Sequence, residues 1–311
     1  MKFILVFLFF FLCFTCKSQG DGEVPNNKKT TIVFSAEEKS NNQKLKILLI
    51  TEGVTYTATL LGLNSLWYKN YPRSSFHWIN DNKEWLQMDK MGHMASSYYM
   101  GVAGIKAYQW AGVSKKESIW YGGLSGSFFL TAVEILDGFS AEWGASTGDL
   151  AANTLGSALC ISQALYWNEQ KILLKYSYHP SQWAKQNPKQ LGETHLQRAL
   201  KDYNGQTYWL SFNIKSLFKL KKECFPNWLS VSVGYSGNKM TTPYQEYSKP
   251  NGNWSPQRTR QYFMSFDIDL NKIKTKNKTL NSVLHTFGFL KFPAPTVELK
   301  KGKLYFHPIY Y

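Results

Sequence analysis

The sequence predicts a mainly α protein: a four-helix bundle, free-standing or set in a membrane, followed by a smaller C-terminal extension that contains β-strands. Three observations predict it. Apolar segments of helical length crowd the stretch between residues 45 and 170. Beyond Tyr208 the hydrophobic pattern shifts to period two. A hydrophobic leader opens the chain.

In that leader Met1-Lys2 supplies a short positive start and Phe3 to Phe14 is apolar throughout. Such a run fits a secretory signal and is short for a membrane span. Cleavage could follow Ser18. Alternatively, Leu12 to Cys16 forms a loose lipobox in which Cys16 would be acylated and become the mature N-terminus. The expected organisation is therefore a signal peptide over 1–18, a polar tether over 19–44, a helical domain over 45–175 and an aromatic-rich α+β region over 176–311.

The formal charge of +15 falls to +13 once Lys2 and Lys17 leave with the leader. In an exported protein that excess favours the head groups of anionic membrane lipids or polyanionic surface polymers over nucleic acid as partner. Of the four cysteines, Cys13 and Cys16 belong to the leader. Cys160 lies in an apolar run and reads as a small buried hydrophobe, with a Cys160–Cys224 bridge as the alternative.

The first apolar segment runs from about Ile47 to Trp67, the second from Asp89 to Ala111, the third from Ser118 to Phe139 and the fourth from Asp149 to Trp167. Small residues from Gly122 to Ser127 line the third, where they would let helix backbones approach closely. Length permits these helices to cross a bilayer. The placement of Lys115, Lys116 and the Lys171–Lys175 region on the outer side runs against the positive-inside rule, and a mean hydropathy of −0.35 is low for a chain of spans.

After Lys171 the dipeptides His179-Pro180 and Asn187-Pro188 break helix, and Leu191 to Lys201 suits one more short helix. Trp228 to Tyr235 alternates, with Ser230, Ser232 and Gly234 on one face and Leu229, Val231, Val233 and Tyr235 on the other. Phe266, Ile268 and Leu270 likewise oppose Ser265, Asp267 and Asp269. Lys303 to Tyr311 suits a last strand. Tyr208, Trp209, Phe212, Trp228, Tyr235, Tyr262 and Phe263 would form a core or an interfacial belt. His179 and His195 fall in polar, loop-like sequence and are expected to be exposed.

Polar pairs on apolar helices carry the chemistry. Asp89 and His93 are four apart and share a face, with Lys90 between them; Glu134 and Asp137 are three apart; Asp149 and Asn153 are four apart. Converging, they could hold a divalent metal that activates water. Without metal, His93 could serve as a base and Lys90 could stabilise an anion. The structural alternative is equally open: Asp89 and Asp149 as helix caps, a Lys90–Glu134 clamp and a satisfied core His93.

These motifs, Asp89-Lys-Met-Gly-His93, Glu134-Ile-Leu-Asp137 and Gly148-Asp149 through Asn153 to Gly156, resemble the YfiM-type family of predicted periplasmic lipoproteins, over about residues 45–170. Their order also resembles the VanZ-like membrane proteins, some of which are linked to glycopeptide resistance. The stretch from Asp202 to Ser211 looks typical of longer members from Bacteroidetes-type bacteria. The resemblance implies an address on the periplasmic side of the cell envelope and no established activity. The expectation is thus an envelope protein whose Asp-Lys-His/Glu-Asp/Asp-Asn network fixes helix packing. The alternatives are a membrane-interface hydrolase of lipid-linked or phosphorylated substrates, or a binder of lipid or cell-wall precursor.

Overall fold

Helix gives way to strand just after Trp167. The computed structural model describes residues 32–69, 71–218, 226–245 and 257–311. The signal peptide, Cys16, the first part of the tether and Cys224 lie outside the described residues. Among the described residues four long helices precede the change: α1 (Ile32–Leu63), α2 (Met88–Trp110), α3 (Lys115–Gly138) and α4 (Thr147–Trp167). A π-helical turn, Asn64–Tyr68, continues α1. Each expected helix is present. α1 starts earlier than Ile47, inside the stretch read as tether.

Local chemistry sets the other starts. Ser114 caps α3, its Oγ accepting from the Glu117 N–H, and its hydroxyl donates to the Glu117 carboxylate at 2.5 Å. That Ser-x-x-Glu signature places the helix start three residues before Ser118. Ser146 caps α4 by accepting from the Asp149 N–H at 3.1 Å, so the cap is Ser146 and not Asp149.

The described residues fall into two compact units. One joins Ser96–Tyr166 to the chain before Asn80; the other joins Asn80–Ala95 to Trp167–Tyr311. In the helical unit a two-residue parallel pair, β1 (Trp78–Ile79) and β2 (Ala145–Ser146), ties the segment after α1 to the start of α4. Backbones meet closely where glycines face each other. A Cβ on Gly104 would lie 2.5 Å from the Gly122 carbonyl oxygen, and one on Gly126 would lie 2.5 Å from that of Ser97. The small-residue stripe on α3 therefore works as its sequence suggested.

In the second unit six strands form one antiparallel meander: β3 (Ile172–Tyr178), β4 (Gln206–Asn213), β5 (Leu229–Asn238), β6 (Thr259–Ile268), β7 (Ala294–Lys300) and β8 (Lys303–Tyr310). The sheet is larger than the few strands expected, and β3 begins before residue 176. Two short helices, α5 (Pro188–Leu191) and α6 (His195–Lys201), stand where one was expected. Gly192 separates them at φ +104°, a conformation that a side chain would strain. The remaining short helices are α7 (Ile214–Phe218) and α8 (Lys278–Thr286).

The sheet is strongly curled. β4 and β8 are four strand spacings apart, roughly 19 Å in a flat sheet. Yet the rings of Trp209 and Tyr310 approach to 6.0 Å. The free edge of β3 is met by residues 289–291, with the Tyr176 N–H donating to Phe289 O and the Lys291 N–H to Tyr176 O, both at 2.9 Å. A curled sheet has an inside, and here polar groups gather there around Trp209 and Phe263. Ser232 is 0 % exposed, Asp267 1 % and Ser265 4 %, whereas Phe266 is 58 % exposed and Phe306 67 %.

Candidate functional site

The residues singled out from the sequence divide between the two units, and each group is built separately. Asp89, Lys90 and His93 occupy the first turns of α2 in the sheet-bearing unit. An unusual turn sets them up: Trp85, Leu86 and Gln87 all have positive φ, 44°, 51° and 63°. Left-handed conformations in three successive side-chain-bearing residues cost on the order of 1–3 kcal/mol each and persist only where the surroundings fix them. Here the Trp85 N–H donates to Pro243 O at 2.9 Å, the Tyr235 hydroxyl donates to Leu86 O at 2.5 Å, and Arg260 donates to the Gln87 side chain at 2.7 Å.

Within this group Asp89 accepts a short hydrogen bond from the Tyr203 hydroxyl, 2.6 Å, and its other oxygen lies 3.9 Å from Nε2 of the buried His93. Lys90 pairs with Asp81 at 2.5 Å. Packed beneath are Met88, Tyr203, Tyr208 and Met240. Burial, with Asp89 adding to it, pushes the Tyr208 phenol far above its ordinary range, so the ring keeps its proton. A carboxylate and an imidazole one helical turn apart could both ligate a divalent ion, or the carboxylate could orient the imidazole as a base.

The second group belongs to the helical unit. Glu134 is buried and accepts from the Ser146 N–H at 2.9 Å, while Asp137 accepts from the Tyr68 hydroxyl at 2.7 Å. Burial and the neighbouring Asp137 push the Tyr68 phenol well up, which keeps it a donor. Asp149 and Asn153 are both buried. The Asn153 carbonyl accepts from Ser97 Oγ at 2.7 Å and Ser127 Oγ at 2.8 Å, and both hydroxyls reach Ser157. α2, α3 and α4 are thus stitched by a buried hydroxyl cluster. Cys160 is buried, as its apolar surroundings suggested. A small cavity of about 30 Å³ lies elsewhere in this unit, against Tyr68, Arg73 and Phe139.

The sequence reading missed a third group. Inside the curled sheet Lys175 forms a fully buried ion pair with Asp267 at 2.8 Å, and Ser211 Oγ donates to the same carboxylate at 2.6 Å. Lys291 lies 3.9 Å from Asp267, donates to the carbonyls of Phe266 and Phe292, and sits 5.0 Å from the Trp209 ring centre. Burial pushes the Lys291 ammonium down to about 8, against the opposing pull of Asp267. A charge inside an apolar strand run, Lys175 in Ile172 to Tyr178, was the available signal. Of the histidines expected to be exposed, His195 is; His179 is partly buried beside Tyr310, and burial lowers its pKa. The aromatic residues split: Tyr208, Trp209 and Phe263 are core, whereas Tyr262 and Trp228 are exposed.

Residues 77–164 match the model of a family described as Predicted periplasmic lipoprotein (DUF2279). All seven sequence-derived site residues fall inside the matched stretch. The description agrees with the expected address, the periplasmic side of the cell envelope. No curated protein and no solved structure matches the chain.

Proposed function

We propose that the chain is a non-catalytic envelope membrane protein whose Asp-Lys-His/Glu-Asp/Asp-Asn residues hold its helices in register. One observation carries this reading. Four polar groups at the helix ends have partners within the fold: Asp89 is engaged by Tyr203, Lys90 by Asp81, Glu134 by the Ser146 N–H and Asp137 by Tyr68. Groups committed in this way satisfy the cost of their own burial and leave little to offer a substrate.

The helices supply the membrane half of the reading. Asn42–Leu63 and Lys115–Gly138 are long and apolar enough to cross a bilayer. They also show apolar side chains outward, with Ile50 66 %, Leu61 64 % and Phe128 69 % exposed. Lipid is the natural neighbour for such surfaces when serine and carboxylate groups are turned inward.

A hydrolase is the second reading, favoured by the Asp89–His93 pair. The two separate on one experiment: melting temperature and bound metal for the wild type, His93→Ala and Glu134→Gln. The structural role predicts that both variants melt several degrees lower, with no stoichiometric divalent ion in any sample. Glu134→Gln retains a carbonyl acceptor for Ser146 and should lose less than His93→Ala. Unchanged melting together with loss of a bound ion would overturn the structural role and establish a metal site.

A further inference from the structure

We infer that the outer face of strands β5–β8 of the curled sheet lies against the acyl chains of a membrane that contains anionic lipid. Register builds this face. Leu210, Val233, Met264, Val297 and Phe306 are successive cross-strand partners in one row over five strands. Tyr235, Tyr262, Leu299 and Leu304 make the next row. Met264 is 61 % exposed and Leu304 72 %. In a sheet that faces water, the alternate, inward set would be the apolar one. Here Trp209 and Phe263 share the inward face with Ser232, Ser265, Asp267 and Glu298, and with the buried Lys175 and Lys291.

That inversion distinguishes lipid from a protein partner. Burying Lys175, Lys291 and Asp267 together costs several kcal/mol per ion before pairing. A sheet cut to dock on another protein could keep an ordinary apolar inside. Polar-in, apolar-out alternation is instead the pattern of strands whose exterior solvent is hydrocarbon. On β5 the outward positions from Leu229 to Tyr235 cover six residue steps, about 20 Å along the strand. That is enough to enter the hydrocarbon layer and short of a tilted crossing. Charge at one rim points the same way: Arg260, Lys300, Lys301 and Lys303 gather beside the Tyr262–Leu299–Leu304 row, at the level of lipid phosphates.

The test maps lipid contact residue by residue, since the helices could by themselves carry the chain into a bilayer. The full chain is reconstituted into vesicles of phosphatidylcholine and phosphatidylglycerol that contain a hydrophobic photoactivated carbene probe, and adducts are located by mass spectrometry. Expected are adducts on Met264, Phe266, Val297, Leu304 or Phe306, at least tenfold above those on Tyr244 of the loop after β5. Adducts on residues 42–63 or 115–138 with none on the sheet would overturn the inference while leaving the helical reading intact. So would a Phe306→Cys variant that forms a disulfide-linked dimer in the vesicles with its sheet unlabelled, because the occupant would then be a second copy.

Discussion

The helical unit and the curled sheet both turn their polar groups inward, and they meet the cost by different means. In α2, α3 and α4 the backbone is satisfied within each helix, and short side chains join the helices where they meet. Serine hydroxyls serve, bonded to the Asn153 carbonyl and to one another. In the sheet the interior holds full charges, and Asp267 is the hub that Lys175, Ser211 and Lys291 surround. Where the helices pack closest, as Gly104 does on Gly122, there is room only for small groups. A sheet curled on itself keeps an inner space that long lysine side chains can fill. An inverted polarity pattern thus does not dictate one kind of interior; the backbone spacing does.

The largest expected effect breaks the sheet side of this comparison. Asp267→Ala leaves two buried lysines without their carboxylate and should cost about 3–5 kcal/mol. Hydrogen exchange should then rise in β3 and β6 and remain unchanged in α3 and α4. Equal loosening of the helices would show that the two interiors are not independent.

On the helical side, Gly122→Ala places a Cβ 2.3 Å from the Gly104 backbone, and overpacking of that kind costs about 1–3 kcal/mol. Melting followed by far-ultraviolet circular dichroism should drop by several degrees. An unchanged transition would mean that the helices can separate freely.

A pH series sharpens the contrast, because the sheet interior holds Lys175 and Lys291. Burial holds Lys291 at about 8 in the fold against 10.5 for the free side chain. The unfolded chain therefore binds more protons between these values, and stability rises with pH across that window. Relative to Lys291→Met, the wild type should gain stability from pH 8 to pH 10. A flat difference would mean that Lys291 stays charged in the fold.

The smallest effect concerns the outer surface. Phe266→Ser in detergent should shift stability by no more than about 0.5 kcal/mol, the range of exposed substitutions. A larger loss in detergent would identify Phe266 as core.

Much of this was legible in the sequence. Apolar runs of helical length marked the four long helices, and alternation placed Ser230 and Ser232 opposite Val231 and Val233 on β5. Ser114 and Glu117 carried a capping signal that fixes where α3 starts. β3 escaped because Ile172 to Tyr178 follows directly on a helix and alternates weakly, with Lys175 in its middle. β7 escaped because Pro295 breaks the strand pattern near its start.

Periodicity, set by backbone geometry alone, was enough to decide which residues share a face and which helices exist. It could not decide which face is buried. Ser232 and Val233 alternate identically whichever side curls inward, and only the long-range pairing of six strands, with Lys175 reaching Asp267, settled that the serine side is the interior. The partners of the helix-borne acids belong to the same class of fact. Tyr203 is 114 residues from Asp89 and Tyr68 is 69 from Asp137. Contacts at such separations depend on how the chain folds back, which no local pattern encodes.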